Sequence, residues 1–94
     1  MKKLDQQVAI VTGAAQGIGR AIADELARAG AHIAVFDLKL EAAQAAADEI
    51  AKLGVTARGY AVDVSKSKVV DAAFAQVVSD FGPVSYTHLR AHET

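Results

Sequence analysis

The sequence predicts an α/β fold in which helices cover both faces of a parallel sheet, and three observations support this prediction. Two short runs, residues 8–11 and 33–36, are wholly apolar, which is typical of strands buried on both faces. A longer segment with apolar residues at helical spacing follows each strand. A glycine follows each helical segment, at Gly30, Gly54 and Gly82, where a helix commonly ends.

Composition narrows the classes of function. The chain has 94 residues, which allows one small domain, and 52% of them are hydrophobic, which suits a buried core. A net charge of -1 gives no reason to expect nucleic acid or an anionic membrane as a partner. No stretch approaches the ~20 apolar residues that cross a bilayer. The absence of cysteine excludes disulfides and thiolate metal sites, and it is consistent with a cytoplasmic protein.

The first unit is a strand, a glycine-rich turn and a helix. The strand is predicted over Val8 to Val11, and the helix over Gly17 to Ala29. Ile18, Ile22 and Leu26 recur every four residues, so they are predicted to form the buried stripe of this helix.

Two further strand-helix units follow the first. Ser65 is predicted to be the N-cap of the last helix. Short connections and right-handed crossovers place the three strands in the order 3-2-1, which is the N-terminal half of a doubly wound, Rossmann-type sheet. The predicted elements are, in order, a strand over 32–38, a helix over 40–53, a strand over 56–64 and a helix over 66–81.

The glycine-rich turn is the strongest functional signal. Its glycines have the spacing Gly-x-x-x-Gly-x-Gly, between a buried strand and an amphipathic helix. A pyrophosphate can lie on the free N–H groups at the start of that helix only if no Cβ holds it away. The alternative is a tight turn without a ligand. The residues expected to contact a dinucleotide here are Gly13, Gln16, Gly17, Ile18 and Gly19.

Asp37 is the second signal, at the end of the second strand and about 20 residues after Gly17. A carboxylate there accepts hydrogen bonds from the adenosine ribose hydroxyls. Leu38, the next residue, is also expected to contact the dinucleotide. A 2′-phosphate would face the negative charge, so NAD is favoured over NADP, although Lys39 weakens the argument. Asp37 could instead cap the second helix.

Asp63 and Val64 are a third and weaker signal, at the end of the third predicted strand. The carboxylate can accept from the exocyclic amine of adenine, while the next backbone N–H donates to a ring nitrogen. Asp63 could equally cap the third helix or be solvated.

The last eleven residues, 84–94, do not continue the pattern. They contain no strand-length apolar run, so no fourth strand is expected after Pro83. They also resemble the in-frame translation of a transposase adapter used in sequencing-library preparation. We therefore expect residues 1–83 to be a partial dinucleotide-binding domain and 84–94 to be a non-native tail. The helical spacing of His88 and His92 is then no evidence for a metal site.

The loop and the two acidic positions together resemble the short-chain dehydrogenase/reductase family. The segment Thr12-Gly13-Ala14-Ala15-Gln16-Gly17-Ile18-Gly19 matches that family's Thr-Gly-x-x-x-Gly-Ile-Gly loop, and the resemblance extends from about Leu4 to Pro83. It implies that Asp37 selects NAD and that Asp63-Val64 contacts adenine. It also implies catalysis by a serine and a Tyr-x-x-x-Lys pair, which this chain lacks. Tyr86 and Arg90 only imitate that spacing, so the fragment alone is expected to be inactive.

The resemblance leaves the substrate open. It implies a parent enzyme that transfers hydride between a nicotinamide and a small secondary alcohol or ketone, of the polyol, acetoin or sugar type. A 3-oxoacyl-(acyl-carrier-protein) reductase is an alternative, although such enzymes usually prefer NADP. A non-catalytic sensor that binds dinucleotide is an alternative of another class. The parent is expected to be a homotetramer or homodimer.

Overall fold

The computed structural model describes residues 7–13, 17–82 and 85–90 of the chain. Their elements are β1 (Gln7–Thr12), α1 (Gly17–Arg28), β2 (His32–Asp37), α2 (Leu40–Ala51), β3 (Ala57–Ala61), α3 (Ser67–Phe81) and β4 (Ser85–Arg90). The strands form one parallel sheet with the order β3-β2-β1-β4. The predicted α/β class and the order 3-2-1 are therefore confirmed.

The sheet has an apolar core on each face. β1 and β2 pair in parallel, with Ala9 opposite Ile33 and Ile10 opposite Ala34. Alternate residues point to opposite faces, so Ala9 and Ile33 pack towards α1 and α2, whereas Ile10 and Ala34 belong to the cluster on the α3 face. Both strands are buried at every core position, as their unbroken apolar runs predicted.

Helix α1 packs against the sheet through small residues, and the predicted stripe is wrong by one position. Gly19, Ala23 and Ala27 are the buried residues of this helix, whereas Ile18 is 72% exposed. Small residues let the helix axis approach the strands closely, and the larger apolar side chains then lie at the sides of the contact. Leu26 packs at the edge of the core in this way.

Helix α2 approaches β3 more closely than a side chain would allow. A Cβ on Gly59 would lie 2.4 Å from the backbone nitrogen of Gln44 and 2.5 Å from the carbonyl carbon of Ala43. The N–H of Gly59 donates to the side-chain oxygen of Gln44 at 3.2 Å. Glycine within this strand therefore marks a close approach between backbones.

Helix α3 is the least buried of the three helices. Val77 is its fully buried residue, while Val69 and Val78 are 38% and 39% exposed. Among the described residues, the sheet thus covers the apolar side chains of this helix only in part. Phe74 and Phe81 pack at the edge of the core on this face.

The tail contains a fourth strand, so the expectation that no strand follows Pro83 was wrong. β4 pairs in parallel with β1 over six residues, from Gln7 opposite Ser85 to Thr12 opposite Arg90. The open edge of β1 offers a row of unpaired N–H and C=O groups, and such an edge can pair with a strand that is not itself apolar. Pairing of this kind is non-local, so a search for apolar runs misses it.

Tyr86 is the side chain that anchors β4. It is half-buried, its ring lies 6.0 Å from that of Phe74 between centroids, and its hydroxyl donates to the carbonyl of Gly82. The tail is therefore attached to α3 as well as to β1. The division into a native 1–83 and a non-native 84–94 stays a prediction. Among the described residues, no helix is long and apolar enough to cross a membrane.

Candidate functional site

A cleft of about 240 Å³ opens at the carboxyl ends of β1, β2 and β3. In open parallel sheets this end of the strands is where ligands bind. Four of the nine residues expected to contact a dinucleotide, Gly13, Asp37, Leu38 and Val64, line it. Within the part of the chain that the structure describes, its lining residues are Gly13, Phe36, Asp37, Leu38, Val62 and Val64.

The first residue of the glycine loop, Gly13, is hydrogen-bonded to the neighbouring strand β2. The N–H of Gly13 donates to the carbonyl of Phe36 at 3.0 Å, which ties the start of the loop to the neighbouring strand. Gly13 and Gly17 have φ values of 71° and 66°, a region that disfavours any residue with a Cβ. Gln16 lies outside the described residues.

Gly17 also opens α1, and the space beside it is free. Among the described residues, no heavy atom other than those of the chain neighbours and the adjacent helix backbone lies within 4 Å of the point that a Cβ on Gly17 would occupy. The first N–H groups of α1 have no partner within the helix, and the helix dipole makes this end positive. A Cβ at this position would therefore fill space in front of a cradle suited to phosphate. Ile18 is exposed beside it, and Gly19 is buried against the sheet.

Asp37 stands at the rim of the cleft, and its carboxylate is oriented by its own turn. Oδ1 accepts the backbone N–H of Lys39 at 3.2 Å, and the carbonyl of Asp37 accepts the N–H of Val62 at 2.7 Å. Lys39 is the N-cap of α2, without a side-chain cap. The alternative role of Asp37 as that N-cap is therefore not what the structure shows.

A second cleft of about 560 Å³ lies on the other side of Asp37 and Leu38, between α1 and α2. Two cations, Arg20 and Lys39, and two carboxylates, Asp37 and Glu49, line it above an alanine floor. Nε of Arg20 is 3.0 Å from a carboxylate oxygen of Asp24, so that cation already has an anionic neighbour. The charges around this cleft balance, and they do not form a strongly basic phosphate site.

The structure separates the two members of the third signal. Val64 lines the first cleft, whereas Asp63 is not among its lining residues. Oδ1 of Asp63 accepts the hydroxyl of Ser65 at 2.6 Å and the N–H of Ser65 at 3.0 Å. These bonds lower the pKa of Asp63, with the hydroxyl contributing most. The prediction that Ser65 is the N-cap of α3 was wrong, because Lys66 occupies that position.

This turn predicts a pH dependence of stability. Because the pKa of Asp63 is lower in the folded chain, the interaction stabilises the fold above the ordinary aspartate pKa of 3.8 and is lost as the pH falls through the lowered value. We expect Ser65→Ala to be less stable than the parent at neutral pH, with a gap that narrows below about pH 3.8. Urea unfolding followed by circular dichroism measures it. In an Asp63→Asn background the effect of Ser65→Ala should not vary with pH, and a constant gap in the parent background contradicts the assignment.

Two lining residues, Phe36 and Val62, were not expected from the sequence. Both are apolar and buried, and their positions within predicted strands marked them as core. A signal was nevertheless present, because Phe36 directly precedes Asp37 and Val62 directly precedes Asp63. Residues that adjoin a site at a strand end belong both to the core and to the floor of the cleft.

Comparison with known proteins gives a consistent result. The sequence profile of the family described as short chain dehydrogenase matches residues 7–88. The chain is 45% identical over 82 residues to D-threitol dehydrogenase of Mycolicibacterium smegmatis, covering 87% of this chain and 32% of that protein. It is 41% identical over 76 residues to 3-oxoacyl-(acyl-carrier-protein) reductase of Aquifex aeolicus, covering 80% and 31%.

A solved structure agrees with the sequence relatives. The crystal structure of NAD+-bound xylitol dehydrogenase superimposes with a TM-score of 0.81 at 40% identity, covering 88% of this chain and 32% of that chain. The chain thus spans about a third of the length of the relatives it matches. All three are dehydrogenases or reductases by name.

Proposed function

Because the chain belongs to the short-chain dehydrogenase family, we propose that it is the N-terminal, cofactor-binding part of an NAD-dependent oxidoreductase. The observation that carries this proposal is the cleft that Gly13, Asp37 and Val64 line at the ends of three parallel strands. NAD, when bound, supplies the atom that accepts or donates hydride. The residues of this chain bind and orient its adenosine diphosphate half.

Each part of that half has a matching group. The open space at Gly17 and the start of α1 suit the phosphates. Asp37 offers carboxylate oxygens to the ribose hydroxyls. Leu38 and Val64 provide apolar walls for adenine, and the N–H of Val64 is the proposed donor to a ring nitrogen. Asp63 reaches adenine only if its second oxygen takes part, since Oδ1 is engaged by Ser65.

The proposed substrate is a small secondary alcohol or ketone of the polyol, acetoin or sugar type. The names of two similar proteins, D-threitol dehydrogenase and xylitol dehydrogenase, support the polyol class.

We further propose that the parent protein is a homotetramer or homodimer, that residues 84–94 are not native to it, and that the present chain binds the cofactor without turning over substrate.

A second candidate is a 3-oxoacyl-(acyl-carrier-protein) reductase that uses NADP. Two observations favour it, the 41% identity to such an enzyme and the presence of Arg20 and Lys39 in the cleft beyond Asp37. The carboxylates of Asp37 and Glu49 line the same cleft, however, and a 2′-phosphate would meet their charge. We therefore favour NAD.

Calorimetric titration of the 94-residue chain with ADP and with NAD tests the proposal. Both ligands should bind with affinities within about threefold of each other, because the groups proposed for recognition all contact the shared half. Gly17→Ala should abolish detectable ADP binding, since its Cβ would occupy the phosphate space.

Gly82→Ala is the matched control for Gly17→Ala. Gly82 also has a positive φ, 86°, and open space where a Cβ would stand, but it lies beyond α3. Both substitutions therefore place a Cβ on a residue with positive φ, and only one of them touches the site. A folded parent that does not bind ADP, or a Gly17→Ala chain that binds it as tightly as the parent, overturns the proposed function.

A further inference from the structure

A polar contact on the α3 face joins two elements near the cleft. The hydroxyl of Tyr60 in β3 donates to Oδ2 of Asp80 in α3 at 2.7 Å. The amide of Gln76 donates to the other oxygen, Oδ1, at 3.0 Å. Both carboxylate oxygens of Asp80 are thus engaged, and the last turns of α3 are attached to the third strand.

The ring of Tyr60 also packs against an aromatic residue of the core. It meets the ring of Phe36 edge-on, with centroids 5.8 Å apart and planes at 68°, a favourable arrangement for aromatic pairs. Phe36 is fully buried, lines the first cleft and accepts the N–H of Gly13 at the start of the glycine loop. One side of Tyr60 is therefore held by α3, and the other supports the cleft.

Tyr60 also lies just before the cleft-forming end of β3. Strand pairing with β2 ends at Ala61, after which the chain is held to β2 by the Val62 N–H bond to Asp37. Val62 and Val64, two and four residues after Tyr60, line the cleft. These three residues all contact the same core cluster, on the α3 side of the sheet.

We propose that Tyr60, held by Asp80, is a positioning residue for the adenine end of the cleft. The inference rests on the proposed function. Without the hydroxyl, β3 loses this polar attachment to α3. Val62 keeps its N–H bond to Asp37, but Val64, which lies beyond that bond, is then held less firmly in the wall of the cleft. The wall of the cleft at Val64 then adopts more than one position, so adenine binds more weakly.

The pKa shifts of Tyr60 and Asp80 are those expected for a hydrogen bond from a phenol to a carboxylate. Burial, followed by the bond to Asp80, raises the pKa of the Tyr60 phenol well above its usual range. The Tyr60 hydroxyl lowers the pKa of the Asp80 carboxyl, with Gln76 contributing less. The donor is therefore protonated and the acceptor ionised across the neutral range, and such charge-assisted bonds are the stronger kind.

The test compares three variants of the 94-residue chain by calorimetric titration with ADP. Tyr60→Phe keeps the ring contact with Phe36 but removes the donor. We expect it to bind ADP about fivefold more weakly than the parent. Asp80→Asn keeps a carbonyl oxygen that can accept the phenol, so it should bind close to the parent. Gln76→Ala leaves the Tyr60–Asp80 bond in place and should not change ADP affinity.

A purely structural role gives a different pattern. It would lower the melting temperature of Tyr60→Phe while leaving ADP affinity unchanged at temperatures where every chain is folded, and that result overturns the inference. Should Tyr60→Phe fail to fold, Asp80→Leu removes the same bond from an exposed position on α3 and must show the same weakening. A parent chain that does not bind ADP overturns the proposed function and this inference with it.

Discussion

Gly59→Ala is expected to prevent stable folding of this chain. The new methyl group would lie 2.4 Å from the nitrogen of Gln44 and 2.7 Å from the carbonyl oxygen of Ala43, both of which belong to the backbone of α2. No rotamer change relieves such a contact, because neither the Cβ nor the backbone atoms can turn away. The helix or the strand must shift instead.

A shift of α2 would open the larger core cluster. Ala43, Ala47 and Ile50 are fully buried between this helix and the sheet, and moving the helix outward exposes all three at once. It also breaks the bond from the Gly59 N–H to Gln44. Overpacking commonly costs about 1–3 kcal/mol, and a clash between two backbones lies at the upper end or beyond it. A small domain has only about 5–15 kcal/mol of stability in total.

Urea unfolding monitored by circular dichroism measures this loss. Gly82→Ala is the control, since its Cβ meets no atom of the described residues beyond its chain neighbours and only its backbone, with φ 86° and ψ -164°, is strained, at a cost of about 1–3 kcal/mol. We expect Gly59→Ala to lose at least about 3 kcal/mol or to show no cooperative transition. Equal losses in the two variants would mean that α2 and β3 are not in close backbone contact.

The buried strands and the position of Asp37 at the end of β2 were predictable from the sequence for a physical reason. β1 and β2 are buried on both faces, so their apolar runs are unbroken and easily recognised. A polar residue that directly follows such a run, as Asp37 does, must lie at the carboxyl end of the strand. In a parallel sheet these ends share one edge, and Asp37 accordingly lines the same cleft as Gly13.

The errors arose where packing, and not periodicity, decides the outcome. Ile18 and Leu26 mark a helix correctly, but the sheet is contacted by Gly19 and Ala23, because small residues allow the closest approach. The fourth strand was missed because β1 offers its edge to residues far along the chain. The Tyr60–Asp80 bond was missed for the same reason, because its partners are 20 residues apart and lie on different elements.

Asp37→Asn is expected to change the preference of the site between unphosphorylated and 2′-phosphorylated ligands. In the parent, the carboxylate at the rim of the cleft should favour ADP, whose ribose hydroxyls can donate to it. It should disfavour adenosine 2′,5′-bisphosphate, whose 2′-phosphate brings like charge to within a few ångströms. Asparagine keeps an oxygen acceptor of the same shape and removes the charge.

The size of the expected change in ligand selectivity depends on how exposed the site is to solvent. Two like charges about 4 Å apart repel by about 1 kcal/mol in water and by about 4 kcal/mol near a protein surface, so an exposed rim corresponds to a selectivity change of about tenfold or more. Asp37→Asn should therefore lower the ratio of ADP affinity to bisphosphate affinity by about that factor. Calorimetric titration of both ligands at low and at moderate salt measures the ratio, and the change should be smaller at higher salt.

Glu41→Gln is the matched control for the loss of one negative charge. Glu41 is exposed in the first turn of α2 and does not line either cleft, so its loss changes net charge without touching the ribose position. The ratio should stay close to the parental value in this variant. A parent chain that binds the bisphosphate more tightly than ADP would show that Arg20 and Lys39 outweigh the carboxylates around the second cleft. That result would favour NADP, and with it the reductase alternative, because the choice depends on which charges the 2′ position meets first.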